Sequence, residues 1–389
     1  MKIVVINPTY NEKGNIERLI TILEEEVFPK IKNHEMHILV ADDNSPDGTG
    51  KIVEDLTKKY KNLHLVTGPK QGLGAAYVRA MTFAIEKLDA DVMFEMDADF
   101  FHDPHKIPEF LQKIDEGYDM AIGTRYSGGG SIPANWGLHR KAFSKVANMI
   151  IRVILMRFWI HDWTGGFRAL KKEVFLKEKE ELTKFGGYTF QVAFLHKTIR
   201  DGFKVAEVPF HAKDRTLGRS KIAPLEYIIN LLKYVITERF WEMMRSPFPK
   251  YVITGFIGYL INRFALSYFF NTHGIEPGLA GAIGAELAII WNFTVNNFWA
   301  FRDQKIMVLR KIPIKFLEFN LVSLGSVVII GTVITVGTSL FGKTEFMSQV
   351  FLVVALAFFV IPYSYTMYNI FIWKRWRPQF LHRIQELLG

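Results

Sequence analysis

The chain has 389 residues, 49% of them hydrophobic, with 48 Lys+Arg against 39 Asp+Glu for a formal net charge of +9 and no cysteine. Such a composition excludes disorder as the main state, and the length suggests two organisational units. Disulfides, thiolate metal sites and cysteine nucleophiles are ruled out, while the basic balance suits anionic partners: phosphorylated substrates, nucleic acid or an anionic membrane surface.

The β-branched run Ile3-Val4-Val5-Ile6 begins almost at once, without a charged leader and cleavage site, so no signal peptide is expected. Up to about Ala223, short apolar runs alternate with amphipathic stretches and Gly/Asp/Pro turns, the pattern of an α/β domain. Strands are expected at 2–7, 37–41, 63–67, 92–96, 120–124 and 204–208, and helices at 17–28, 50–59, 74–87 and 106–116. Ligands of such sheets bind beyond the carboxyl ends of the strands. Here three strands run straight into polar or acidic loops.

From 225 to 244 the apolar residues Leu225, Ile228, Ile229, Leu232, Val235, Ile236, Phe240 and Met243 form one helical stripe, with charged and polar residues opposite. Two readings fit: an interfacial helix lying on a bilayer, or a helix docked on the soluble domain. Four apolar segments follow at about 251–271, 278–301, 314–341 and 348–373, each long enough to cross a hydrocarbon core. Basic residues flank the first span (Arg239, Arg245, Lys250), separate the second from the third (Arg302, Lys305, Arg310, Lys311) and follow the fourth (Lys374, Arg375, Arg377). By the positive-inside rule, the α/β domain and both termini are expected to be cytoplasmic. Arg263 and Glu286 fall inside spans, where charge is expensive, and are expected to pair or to face the bundle interior. The division expected is 1–223 catalytic, 224–247 interfacial helix and 248–389 membrane domain.

Three strand ends carry the chemistry. Asn7-Pro8-Thr9-Tyr10-Asn11-Glu12 and Asp42-Asp43-Asn44-Ser45-Pro46-Asp47-Gly48 are polar loops opening into helices. Pro8 and Tyr10 suit a planar base, and Glu12 and Asp43 can accept hydrogen bonds from a base or ribose; Asn7, Asn44 and Asp47 also suit plain turns and caps. The third, Asp97-Ala98-Asp99, offers carboxylate oxygens to a hard divalent ion that keeps waters and bridges to substrate phosphates. His102 fits either a ligand or a hydrogen-bonded structural role. Arg125, Arg140, Arg168, Arg215 and Lys221 recur in Gly- and Ser-containing loops, which suggests an anionic substrate. Gln71-Gly72-Leu73-Gly74 reads as close backbone packing before a helix. The basic charge is thus accounted for by membrane topology and phosphate binding, and no nucleic-acid partner is expected.

Taken together and in order, Pro8–Glu12, Asp42–Gly48, Asp97-Ala98-Asp99, Gly123-Thr124-Arg125-Tyr126, Gly166-Phe167-Arg168 and Asp214-Arg215…Ser220-Lys221 resemble the dolichol-phosphate mannose synthases, inverting family 2 glycosyltransferases. The resemblance covers roughly residues 1–223 and implies an α/β GT-A (Rossmann-like) catalytic domain. Residues 250–376, most visibly Trp291-Asn292-Phe293 and Asn296-Asn297-Phe298-Trp299-Ala300-Phe301, are similar to a GtrA-like domain of four transmembrane helices. The family carries mannose from GDP-mannose to dolichyl or polyprenyl phosphate on the cytoplasmic face of a membrane, with Mg²⁺ or Mn²⁺. By resemblance, Pro8, Tyr10, Glu12, Ala41 and Asp43 line the guanosine pocket, and Asp97 and Asp99, with Ala98 alongside, hold metal and diphosphate. Arg125, Arg215 and Lys221 contact donor phosphates, and Arg125, Arg140, Ser144 and Arg215 the acceptor phosphate. One departure stands out: many relatives carry a polar residue two positions after the second aspartate, and this chain has Phe101. Water, Asp103 or a substrate oxygen would then complete the metal shell. The rival readings are the same fold with another donor such as UDP-glucose, and a lipid-linked-sugar flippase or scaffold with a vestigial transferase domain.

Overall fold

The computed structural model describes residues 1–213 and 225–376, and the chain divides into two compact units at Arg239–Phe240. The first is built on β1 (Lys2–Thr9), β2 (Glu35–Asp42), β3 (Leu63–Thr67), β4 (Val92–Glu95), β5 (Met120–Thr124), β6 (Arg168–Lys171) and β7 (Val205–Pro209). Among the described residues these form one sheet in the order β3-β2-β1-β4-β6-β5-β7. Strand β6 is antiparallel to both β4 and β5, and all other pairings are parallel.

Both faces of the sheet are covered, which is why Ile3 to Ile6 is a continuous apolar run rather than an alternating one. Ile3 and Val5 pack with helices α1 (Ile16–Ile22), α2 (Thr49–Leu56) and α4 (Ile107–Asp115). Val4 and Ile6 pack on the other face with α3 (Leu73–Leu88), α5 (Leu138–Leu155), α6 (Lys172–Leu182) and α7 (Gly187–Arg200). Gly74 opens α3 because a Cβ there would stand 2.7 Å from the Phe185 carbonyl and 2.9 Å from the Phe190 ring, the close packing expected of that turn. Strand β6 is an addition to the expected set. Its first residue, Arg168, is a cation with no exposed surface rather than a loop residue open to substrate.

The helix expected at 225–244 is α8 (Leu225–Arg245). In the second unit, the helices long and apolar enough to cross a membrane, among the described residues, are Phe248–His273, Pro277–Ala300, Leu309–Phe341 and Glu345–Ile372. Their helical segments are α9 (Phe248–His273), α10 (Pro277–Val295), α11 (Ile312–Phe341), α12 (Glu345–Val354) and α13 (Ile361–Met367). Small residues set the α9–α10 approach: a Cβ on Gly284 would lie 2.6 Å from Asn262 Oδ1 and 2.8 Å from the Asn262 carbonyl. That seam leaves no room for long charged side chains, so Arg263 and Glu286 are exposed instead of facing the interior. The asparagine-rich motif has a structural use. Asn297 Oδ1 accepts from the Ile306 N–H at 2.8 Å and the Trp373 indole N–H at 3.1 Å, tying the loop after α10 to the last span. Phe301 and Trp373 stack beside it at 4.2 Å.

Candidate active site

Because β1, β2, β4 and β5 run the same way, their carboxyl ends share one edge of the sheet, and β6 starts from that edge. The loops after β1 and β2 are bolted together there. Thr9 Oγ1 donates to Asp42 Oδ1 at 3.0 Å, the Asn11 N–H to Ser45 Oγ at 3.0 Å, and the Lys13 N–H to Asp47 Oδ2 at 3.1 Å. Asn11 (φ 62°) and Asn44 (φ 52°) take the left-handed conformation that asparagine tolerates better than other non-glycine residues. Asp42, Ser45 and Asp47 therefore tie the loops together, with Asp43 buried and Asn44 exposed. Tyr10 is exposed, with Lys70 Nζ 3.4 Å from its ring centroid. The Asp43 carboxylate accepts from Arg79 Nη2 at 2.6 Å, and Glu12 Oε2 accepts from Asn15 at 2.8 Å. Pro8 is half-buried, whereas Ala41 has no exposed surface and packs in the core. Lys70 and Arg79 were not legible as site residues, since a cation in a turn or on a helix carries no distinguishing pattern.

After β4, Asp97 is half-buried and Asp99 and Ala98 are buried. The Asp97 N–H donates to His102 Nδ1 at 3.1 Å, and the imidazole stacks on Phe167 at 4.8 Å. His102 thus holds the loop through Nδ1. The Phe101 N–H donates to Asp99 Oδ1 at 3.0 Å, and Phe100 sits between them at φ 65°. A left-handed phenylalanine is costly and marks a tightly specified turn. Asp103 is directed at His105, with Oδ1 accepting the His105 N–H at 3.1 Å, and at Lys213 at 3.7 Å.

Beneath the pair lies a buried polar layer. Arg168 Nε donates to the Gly165 carbonyl at 3.0 Å and stands 4.0 Å from a Glu95 oxygen. Burial pushes the Glu95 carboxyl up to about 7; the charge of Arg168 and the amide of Gln191 offset this only in part, and the charge of Asp97 adds to the rise. Burial, then Asp97 and Glu95, raises the Tyr77 hydroxyl well above its ordinary range. Acidic side chains therefore gather at this strand end, where the Asp97 and Asp99 carboxylates suit a hard divalent cation. Among the described residues no third histidine or acidic side chain joins to make a closed metal cage. The donor set fits an ion held by Asp97 and Asp99, with waters and substrate oxygens as its other ligands.

After β5, Arg125 is buried and bidentate on Asp162, with Nε to Oδ2 at 2.6 Å and Nη2 to Oδ1 at 2.7 Å, and it also donates to Thr164 at 2.9 Å. Burial alone would raise the Asp162 carboxyl. The charge and hydrogen bonds of Arg125, with the Thr164 N–H, outweigh it and hold Asp162 below the usual carboxylate range. On α5, Arg140 is half-buried with its guanidinium 3.6 Å from the Trp136 ring centroid, and Ser144 hydrogen-bonds the Tyr126 hydroxyl at 2.5 Å. These residues close one end of a groove of about 440 Å³. Arg125, Arg140, Ser144, Asn148 and Thr164 make its polar end; Phe143, Ala147, Ile151, Ile228, Leu231 and Leu232 make an apolar corridor between α5 and α8. The outer side of α5 adds the exposed Val146, Met149 and Val153. The spacing of Phe143, Val146, Ile150 and Val153 was a readable helical signal for this surface. The structure therefore brings Arg125, Arg140 and Ser144 together. Arg215 and Lys221 lie outside the described residues.

Residues 4–177 match the glycosyl transferase family 2 profile and residues 250–373 the GtrA/DPMS transmembrane domain. A dolichol-phosphate mannosyltransferase from Pyrococcus furiosus is 34% identical over 333 residues, covering 85% of this chain and 88% of that protein. A polyprenol monophosphomannose synthase from Mycolicibacterium smegmatis is 38% identical over 224 residues, covering 57% of this chain and 80% of that protein. Among solved structures, glucosyl-3-phosphoglycerate synthase from Mycobacterium tuberculosis with Mn²⁺ and UDP-glucose superposes with a TM-score of 0.41 at 18% identity, covering 61% of this chain and 79% of that one.

Proposed function

The chain belongs to the dolichol-phosphate mannosyltransferase family, with a GT-A-like catalytic domain and a GtrA/DPMS membrane domain, and on that premise we propose that it moves mannose from GDP-mannose to dolichyl or polyprenyl phosphate with inversion. The observation that carries this reading is the groove, whose cationic polar end opens beside the strand ends and whose other end is an apolar corridor. A phosphate monoester on a long apolar chain needs both halves at once.

In this reading Pro8, Tyr10, Glu12 and Asp43 receive the nucleoside, and Asp97 and Asp99 hold Mg²⁺ or Mn²⁺ against the donor diphosphate. When bound, the ion supplies charge stabilisation for the leaving GDP. Arg140 and Ser144 take the acceptor phosphate at the mouth of the corridor, with Arg125 locked in place by Asp162; Arg215 and Lys221 complete the anion contacts. The acceptor requires no general base, because its second pKa is about 6 and it is largely dianionic near neutral pH. The chain's task is to hold two anions in line, the oxygen of one behind the anomeric carbon of the other, and to exclude water from the reacting carbon. In-line displacement gives a β-linked mannosyl phosphate. The basic flanks of the spans support a cytoplasmic catalytic domain and cytoplasmic termini, with the acceptor phosphate at headgroup level.

The test is transfer by purified protein in detergent from labelled GDP-mannose or UDP-glucose to a polyprenyl phosphate, with Mn²⁺, Mg²⁺ or EDTA. Labelled lipid from GDP-mannose alone, lost with EDTA and β-linked by NMR, is the expected result. Transfer only from UDP-glucose would overturn the donor, and no transfer from either would overturn the reaction.

A further inference from the structure

Phe101 lies two positions after the Asp-x-Asp pair, and the structure shows where its ring goes. It stacks on Trp136 with centroids 6.1 Å apart and planes 17° from parallel. Trp136 in turn carries the Arg140 guanidinium 3.6 Å from its ring centroid, and the Arg125 guanidinium lies 5.8 Å from the Phe101 ring. Two arginines at the polar end of the groove are thus each set against one member of an aromatic pair. Trp136 is 8% exposed, and its indole N–H has no hydrogen-bond partner among the described residues. A buried tryptophan normally finds an acceptor for that group. Among the described residues, the Trp136 side chain is held through its ring, by Phe101 and Arg140.

We infer that Phe101 and Trp136 are positioning residues that hold Arg140 for the acceptor phosphate, so that an apolar residue of the Asp-x-Asp loop serves the acceptor side. This rests on the assignment of Arg140 to the acceptor phosphate. The physical basis is directional: a guanidinium over an indole face is attracted by the ring quadrupole, and the ring behind fixes the indole plane. A flexible arginine held in this way loses less side-chain entropy when it grips an anion. Since the Phe101 N–H is bonded to Asp99 Oδ1, the same turn sets both the second aspartate and the stack.

The experiment is steady-state transfer with farnesyl phosphate as acceptor, varying each substrate in turn, on full-length Phe101→Leu, Trp136→Leu, Trp136→Phe and Arg140→Ala. Thermal unfolding midpoints show that each variant is folded, and equilibrium binding of farnesyl phosphate without donor gives a readout independent of turnover. In Phe101→Leu and Trp136→Leu the acceptor KM and dissociation constant rise about three- to tenfold, while the donor KM stays within about twofold. Trp136→Phe keeps an aromatic face without the N–H and recovers most of the loss. Should Trp136→Phe be as impaired as Trp136→Leu, the N–H and not the ring face matters, and the stack is overturned. Equal losses in donor and acceptor KM would make the stack merely structural and refute its role. An unchanged acceptor KM in Arg140→Ala removes the assignment of Arg140 and this inference with it. A raised one beside unchanged Phe101→Leu and Trp136→Leu removes the stack alone.

Discussion

Asp162→Asn isolates one charge. The Asp162 side chain has no exposed surface and that of Arg125 is 7% exposed, so the ion pair is buried and bidentate. Asparagine keeps the shape and one acceptor but leaves the guanidinium buried without a counter-charge. Breaking such a pair from one side costs about 3–5 kcal/mol. For a domain of this size that lowers the unfolding midpoint by about 6–20 °C. The pH dependence has a definite sign. The native Asp162 carboxyl titrates below its unfolded value of about 3.9, so the pair's contribution is complete above that pH and is lost as pH falls through the lower native value. Thermal unfolding in detergent from pH 8 down to pH 3 therefore shows a constant gap between parent and variant, closing only below about pH 4. The released Arg125 also raises the acceptor KM at neutral pH. A midpoint within about 2 °C of the parent, with an unchanged acceptor KM, would show that Asp162 neither neutralises nor aims Arg125.

Other outcomes follow from single residues. Asp97→Ala abolishes sugar transfer while leaving the unfolding midpoint within about 2 °C; normal turnover would refute the site. Glu178 on α6 is 2% exposed, and burial, with repulsion from Asp201, raises its carboxyl to about 7. A raised native value costs stability as pH rises through it, so Glu178→Gln lifts the midpoint at pH 8 and not at pH 5; the opposite order would contradict the assignment. Asn44→Gly, which accepts φ 52° without strain, keeps the donor KM, whereas Asn44→Val costs about 1–2 kcal/mol and raises it, both read by unfolding and donor titration. Gly284→Val forces a side chain against the Asn262 carbonyl and lowers the midpoint of the membrane domain, measured by its aromatic near-UV circular dichroism.

Elements with strong local periodicity were readable from the residues. The run Ile3–Ile6 and the spans needed no tertiary information, and the Asp-x-Asp turn was placed by the strand before it. The middle of the catalytic domain was not. Strand β6 begins with Arg168, a fully buried arginine whose charge is met by Glu95, a partner 73 positions away that no local pattern predicts, and whose Nε is met by the Gly165 carbonyl. Arg125 was recognisable as a phosphate-type arginine, but its commitment to Asp162 depends on a loop returning to the same sheet edge. Phe101 was visible as a side chain that cannot ligate a metal, but its stack depends on Trp136 being brought alongside. Spans were legible to within a few residues, but the outward direction of Arg263 and Glu286 depends on glycines filling the opposite faces.

The central antiparallel strand also sets an order on synthesis. Among the described residues, strand β5 pairs only with β6 and β7, both of which leave the ribosome later. When Thr124 has emerged, the four strands β3-β2-β1-β4 can already associate, but Met120–Thr124 has no neighbour and both its edges are open. At 5–20 residues per second, the wait for Arg168–Lys171 lasts roughly 2–9 s. During that interval a buried-type strand is exposed as an edge, a state prone to mispairing. Closure by β6 comes before the first apolar span is made, so the catalytic sheet can be complete before the chain is committed to the membrane.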